Sequence, residues 1–272
     1  MHFCASQSAP MSKELTIHIR TLLDRLAQSR RLDSDEHEVV AEEVAAQARE
    51  LPRSGILSAL DQAIGHSKSR RREAVYLLSE WTDVPDVVDR IGEWITDPDP
   101  QWRRWLIQTI AAGRLTQFAA HLRDIIEEDP DEFCRDMAIH AAGTLRAPEC
   151  LPVLLRLARE NDPNLTWRLA TALTCYATEE CRPYLEKWLR DVSLCASTRI
   201  FAAWGLGKLG DQSAIHYLIT MLDDPDERGE TYFRAGESIR AAQALCDVFG
   251  WPFEWDRSYV ARTKARASQL QT

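Results

Sequence analysis

A chain of 272 residues with 33 Lys and Arg against 42 Asp and Glu carries a formal charge of −9 and has a pI near 5.4. That acidity argues against a protein whose main work is gripping a phosphate backbone, because such work calls for a basic face. At 45% hydrophobic residues the chain can bury a substantial core, yet no run approaches the 18 apolar residues that a membrane span needs.

The start, MHFCASQSAP, lacks the basic region and apolar core of a secretory signal. Residues 1–10 are read as a disordered N-terminus, with Met11 as a second candidate start. The seven cysteines are odd in number, form no CxxC pair and sit mostly in apolar runs. They read as small hydrophobes in a reducing cytoplasm. Residues 11–68 contain the amphipathic stretches LTIHIRTLLDRLAQSRR and HEVVAEEVAAQAREL, which suit an N-terminal helical cap. KSRRR at 68–72 is the densest basic cluster and reads as a solvated helix start.

From residue 69 to 250 the chain repeats itself. DPDPQWR, DPDEFCR and DPNLTWR each place an Asp six residues before an Arg, at Asp97/Arg103, Asp129/Arg135 and Asp162/Arg168. Arg71 precedes the series and Arg199 and Arg240 continue it, with successive gaps of 32, 32, 33, 31 and 41 residues. Each unit holds two amphipathic stretches. The first is rich in Ala and Gly, as in RDMAIHAAGTL and RIFAAWGLGKLG. The second follows a turn and starts near a proline in three units, at Pro85, Pro152 and Pro183. Apolar positions recur every three or four residues, so the chain is all-α. A helix pair of this size buries its apolar face only by stacking on its neighbours. Asp in the inter-unit turn can accept hydrogen bonds from backbone amides and Arg side chains, so the series is expected to form a ladder.

DPDPxxR followed by an Ala-rich helix and a Leu-Gly ending resembles the HEAT-like repeats, in particular the short variety of the phycobilin lyases. The resemblance implies a right-handed α-α superhelix of about six helix pairs, forming one continuous solenoid with a C-terminal cap at 251–272. It implies a concave face lined by the second helices, where Arg90, Trp94, Arg123, Arg156, Arg159, Lys187 and Trp188 are the candidate partner contacts. The stretched last interval carries Arg228, Tyr232, Phe233 and Arg234 as further candidates, because inserted loops with aromatic and Arg residues make good contacts.

Chemistry is harder to find. The seven histidines are dispersed, with no HxxxH pair, and no phosphate-cradling glycine loop or GxSxG occurs. HEAT-type hydroxylases hold two irons with repeated His-Glu dipeptides, and this sequence has one, His37-Glu38. No catalytic residue, metal or cofactor is expected. The reading is therefore a non-enzymatic cytoplasmic scaffold, specifically a bacterial immunity protein or adaptor. Its partner would be another protein, such as a toxin or effector encoded nearby, rather than nucleic acid or membrane. The alternatives are a HEAT-like DNA glycosylase acting on alkylated bases and a phycobilin-lyase-like chaperone. The charge has the wrong sign for the first, and nothing specifies a chromophore site for the second.

Overall fold

The computed structural model describes residues 8–223, 236–252 and 258–269, with side chains from Lys13 onward apart from Lys68. Among the described residues all regular structure is helical. The chain is an all-α solenoid. It divides into two compact units, 1–121 and 122–272. Solenoid repeats are held by their neighbours alone, so compactness is local.

In the first unit α1 (Ser8–Ser29) packs against α2 (Ser34–Glu50), α3 (Ile56–Ile64) and α4 (Lys68–Leu78). The pair α5 (Pro85–Trp94) and α6 (Pro100–Ala112) follows, with α6 lying on α4. Ile19, Leu22, Leu26, Leu60, Leu78 and Trp81 form a core of side chains that are essentially solvent-free. Trp81 donates its indole N–H to the Ala48 carbonyl at 2.9 Å, which satisfies its one polar atom. The divide between the units falls inside α7 (Ala119–Glu128).

The second unit contains α8 (Glu132–Leu145), α9 (Leu151–Glu160), α10 (Pro163–Tyr176), α11 (Arg182–Arg190), α12 (Ala196–Lys208), α13 (Gln212–Thr220), α14 (Glu237–Phe249) and α15 (Tyr259–Ser268). Among the described residues five helix pairs run from α4 to α13, and α14 packs against α15. The helices start where local chemistry dictates. Asp99, Asp131, Asp162 and Asp211 cap α6, α8, α10 and α13 through their side chains. Pro85, Pro100, Pro152, Pro163 and Pro183 occupy first turns, where the missing N–H costs nothing.

The first helices α8, α10, α12 and α14 pack side by side, whereas α9, α11 and α13 pack chiefly on those first helices. Small residues permit this. A Cβ on Gly143 would lie 2.7 Å from the Ala172 Cα, and one on Gly205 would lie 3.2 Å from the Thr174 Cα. The helices are close enough for Thr174 Oγ1 to donate to the Phe201 carbonyl at 2.6 Å. Within this unit the first helices thus form a closely packed layer.

The same turn recurs after α6, α8, α10 and α12. Arg114, Arg146, Ala177 and Gly210 all have left-handed backbones, with φ of 51°, 50°, 45° and 82°. Gly alone adopts this conformation without steric cost.

Two substitutions should act in opposite directions in chemical denaturation. Gly143→Ala is expected to destabilise the chain by about 1–3 kcal/mol through backbone overlap with Ala172, despite its better helix propensity. Ala177→Gly is expected to stabilise it by about 0.5–1 kcal/mol by relieving the left-handed turn.

Candidate functional site

Counting from each N-terminal cap puts the arginines in register. Arg71, Arg103, Arg135, Arg199 and Arg240 are each the fourth residue after Ser67, Asp99, Asp131, Cys195 and Gly236. Arg168 is the sixth after Asp162, and Thr166 holds the fourth place. The Asp162/Arg168 spacing therefore matches its predecessors in sequence but not in position on the helix.

The contacts follow this register. Asp97 accepts the Asp99 amide at 2.9 Å and the Arg71 guanidinium at 2.6 Å on its carboxylate, while its carbonyl accepts Arg103 at 2.7 Å. One residue thus ties two successive repeats. Asp129 similarly accepts the Asp131 amide at 2.9 Å, and its carbonyl takes Arg135 at 2.6 Å. In the next unit Thr166 hydrogen-bonds the Asp162 carbonyl at 3.0 Å, and Arg168 reaches the buried Asp136 at 2.5 Å instead. Burial raises the Asp136 carboxyl above its ordinary pKa, opposed by that Arg168 contact. Arg199 lies 5.9 Å from the Tyr217 ring, and Arg240 donates to Ser197 Oγ at 2.6 Å.

Arg71 has a second set of neighbours. Its guanidinium lies 4.3 Å from the Trp102 ring centroid and 6.0 Å from that of Trp94, and the two rings are 5.1 Å apart. Cation–π attraction and the Asp97 pair hold it together. Trp102 is buried, so half of the aromatic pair in QWRRW is a packing element. Trp105 is half-exposed, and Arg72 lies 5.1 Å over its ring.

Other candidates from the second helices are already engaged. Arg90 pairs with Asp61 at 2.6 Å and Glu93 at 3.1 Å and lies over Trp94. Arg123 pairs with its neighbour Asp124, and Arg156 with Glu127 and Glu160. Lys187 donates to the Asn161 side chain at 2.7 Å, and Arg159 is exposed. Trp188 is only 2% exposed, so it is core rather than contact surface. Arg228, Tyr232, Phe233 and Arg234 lie outside the described residues.

Among the described residues the most exposed aromatic side chains, Tyr76, Phe133 and Trp167, sit on first helices, while Trp94, Tyr184 and Tyr217 on second helices are half-exposed. Trp167 is 44% exposed and meets Phe201 edge-on at 6.3 Å, and Phe201 stacks on Trp204 at 6.0 Å with rings 10° from parallel. Asp247 accepts the Trp204 indole N–H at 2.7 Å and fixes the ring. Beyond Trp204 an open pocket of about 370 Å³ is bordered by Asp247 and Trp251. The register again explains the row. The ninth residues after the caps of α4, α6, α8, α10 and α12 are Tyr76, Gln108, His140, Thr171 and Trp204, and all are exposed or half-exposed. The fifth or sixth residues Arg72, Trp105, Met137, Trp167 and Phe201 are likewise exposed or half-exposed within their own units. Counting from the caps rather than from the arginines would have found it.

Residues 68–143, 119–194 and 151–230 each match the family of HEAT repeats, together more than half of the chain. The chain belongs to the HEAT-repeat family. No curated protein matches its sequence. Among solved structures, human deoxyhypusine hydroxylase in complex with glycerol aligns over 95% of this chain and 97% of its own, at 15% identity and a TM-score of 0.34. That likeness is too weak to transfer anything from one protein to the other. Among the described residues no three His, Cys, Asp or Glu side chains converge as metal ligands, and no helix is long and apolar enough to cross a membrane. Burial pushes the Cys150 thiol up to about 12 and raises Cys175, which keeps both protonated and unreactive.

Replacing Arg71 with Met keeps its apolar stem between the tryptophans but removes the charge. Denaturant unfolding should show a loss of about 1–2 kcal/mol, the sum of a partly exposed ion pair and a cation–π contact.

Proposed function

We propose that this HEAT-repeat chain is a non-enzymatic protein-binding scaffold, acting in the bacterial cytoplasm as an immunity protein or adaptor. Its partner is a toxin or effector encoded nearby, held on the first helices. The row Trp167–Phe201–Trp204 carries this reading. Large rings kept partly in water on a layer otherwise packed with Ala and Gly are the side chains that dominate protein interfaces. The net charge of −9 would steer a basic partner, such as a nuclease-like toxin, and would repel a phosphate backbone.

The test is capture from the native host followed by binding to the product of the neighbouring gene. A stable one-to-one complex is expected. Trp167→Ala combined with Phe201→Ala should weaken it by about 2 kcal/mol or more, and Arg156→Ala combined with Lys187→Ala should leave it nearly unchanged. A pull-down that returns no protein partner counts against the scaffold. Loss of binding in the second variant but not the first would move the interface to the second helices.

A further inference from the structure

Two of the three arginines of KSRRR are paired with carboxylates. Arg70 makes a two-pronged pair with Asp24 at 2.8 and 3.0 Å, and Arg71 pairs with Asp97 at 2.6 Å between two tryptophans. Arg72 has no carboxylate partner among the described residues, and its guanidinium is held 5.1 Å over Trp105. It borders a pocket of about 180 Å³ in the first unit, lined also by Arg30, Val75, Tyr76, Trp105 and Gln108. Small-molecule and cofactor sites run to about 300–1,000 Å³, so this pocket has room for one side chain rather than a cofactor.

Most polar groups in its wall are satisfied internally. Arg30 is neutralised by a two-pronged pair with the buried Glu73 at 2.6 and 2.9 Å. Thr109 donates to the Val75 carbonyl, Ser79 to that of Tyr76, and the Tyr76 hydroxyl to that of Ala41. Glu80, near Tyr76, is paired with Arg49 at 2.8 Å. What remains is an apolar and aromatic wall where the Arg72 guanidinium, the Gln108 amide and the Nη1 of Arg30 can bond a visitor, and of the two arginines only Arg72 lacks a carboxylate partner among the described residues. The Arg72 fork matches a carboxylate in shape as well as charge.

We infer that this pocket receives a glutamate side chain of the partner protein, with its methylenes against Val75 and the Tyr76 and Trp105 rings and its carboxylate on Arg72 and Gln108. The inference rests on the scaffold reading above for the source of the glutamate. In a chain of charge −9 an unpaired arginine in a small pocket is the opposite of the general field. A partner drawn in by that field would be fixed in register by the one acidic residue it places here.

The probe is N-acetyl-glutamate N-methylamide, titrated into the full chain while the indole N–H of Trp105 and the Nε–H of Arg72 are followed by NMR. Saturable shifts at both are expected, with the indole of Trp204 unmoved. The glutamine counterpart should bind about tenfold more weakly or worse, because a charge-assisted pair is lost. Arg72→Gln, an exposed position on α4, should abolish the difference while leaving the rest of the spectrum in place. Equal response to the glutamine compound, or undiminished binding by the Arg72→Gln protein, overturns the inference. Tighter binding of N-acetyl-leucine would assign the pocket to a chain terminus, and tighter binding of inorganic phosphate would assign it to a phosphate, each against the proposal. Because this titration needs no partner, its failure and the failure of the Trp167/Phe201 experiment are separate results.

Discussion

The contact of Gly143 with the backbone of Ala172 sets the dimensions on which the second unit depends. Helices carrying larger side chains would pack about 8–10 Å apart. Here the Ala and Gly faces of α8, α10 and α12 draw the backbones together, and Thr174 completes the contact by bonding the Phe201 carbonyl. A layer this closely spaced leaves no room between its helices for bulky residues. Large side chains on the first helices must therefore either be buried, as Leu169, Leu173 and Leu206 are, or stay partly in solvent. Trp167, Phe201 and Trp204 take the outward course.

Orientation is fixed at the helix starts. An arginine four residues after the cap reaches back to the turn that precedes it, as Arg103 does to the Asp97 carbonyl and Arg135 to that of Asp129. With that residue turned toward the loop, at least one of the fifth and sixth residues, together with the ninth, stays partly in water in α4, α6, α8, α10 and α12. Where the fourth place holds Thr166, a shorter hydroxyl bond to Asp162 does the anchoring, and Arg168 is released to compensate the buried Asp136. The repeat thus tolerates a change of anchor while keeping its outward face. Arg72 and Trp105 hold these positions in the first unit, and Phe201 and Trp204 hold them in the second.

Much of this was legible in the sequence. The period, the Ala-rich first helices, the prolines in first turns and the left-handed Gly210 follow from spacing and from residue types with narrow conformational preferences. Which side chains stay at the surface was harder to read. Six residues separate Asp162 from Arg168 just as they separate Asp97 from Arg103, but a cap shifted by two residues changes where the side chain points. Trp94 and Trp188 occupy equivalent places before the turn, yet one is half-exposed beside Arg71 and the other is core. Periodicity gives the register of a repeat and not which layer is closer packed, and that depends on how far Gly143 and Gly205 let backbones approach. In DPDPQWRRW, Trp102 serves the core while Trp105 carries Arg72 outward.

The central claim is that the aromatic face of the first helices, rather than the charged second helices, holds the partner. Oxidative footprinting of the free chain and of its complex with the neighbouring gene product tests this most directly, because Trp and Phe report their own solvent contact. Protection of Trp167, Phe201 and Trp204 on binding, with the tryptic fragments of α9 and α11 unchanged, is the expected result. Protection confined to α9 and α11, with Trp167 as reactive in the complex as in the free chain, would contradict it.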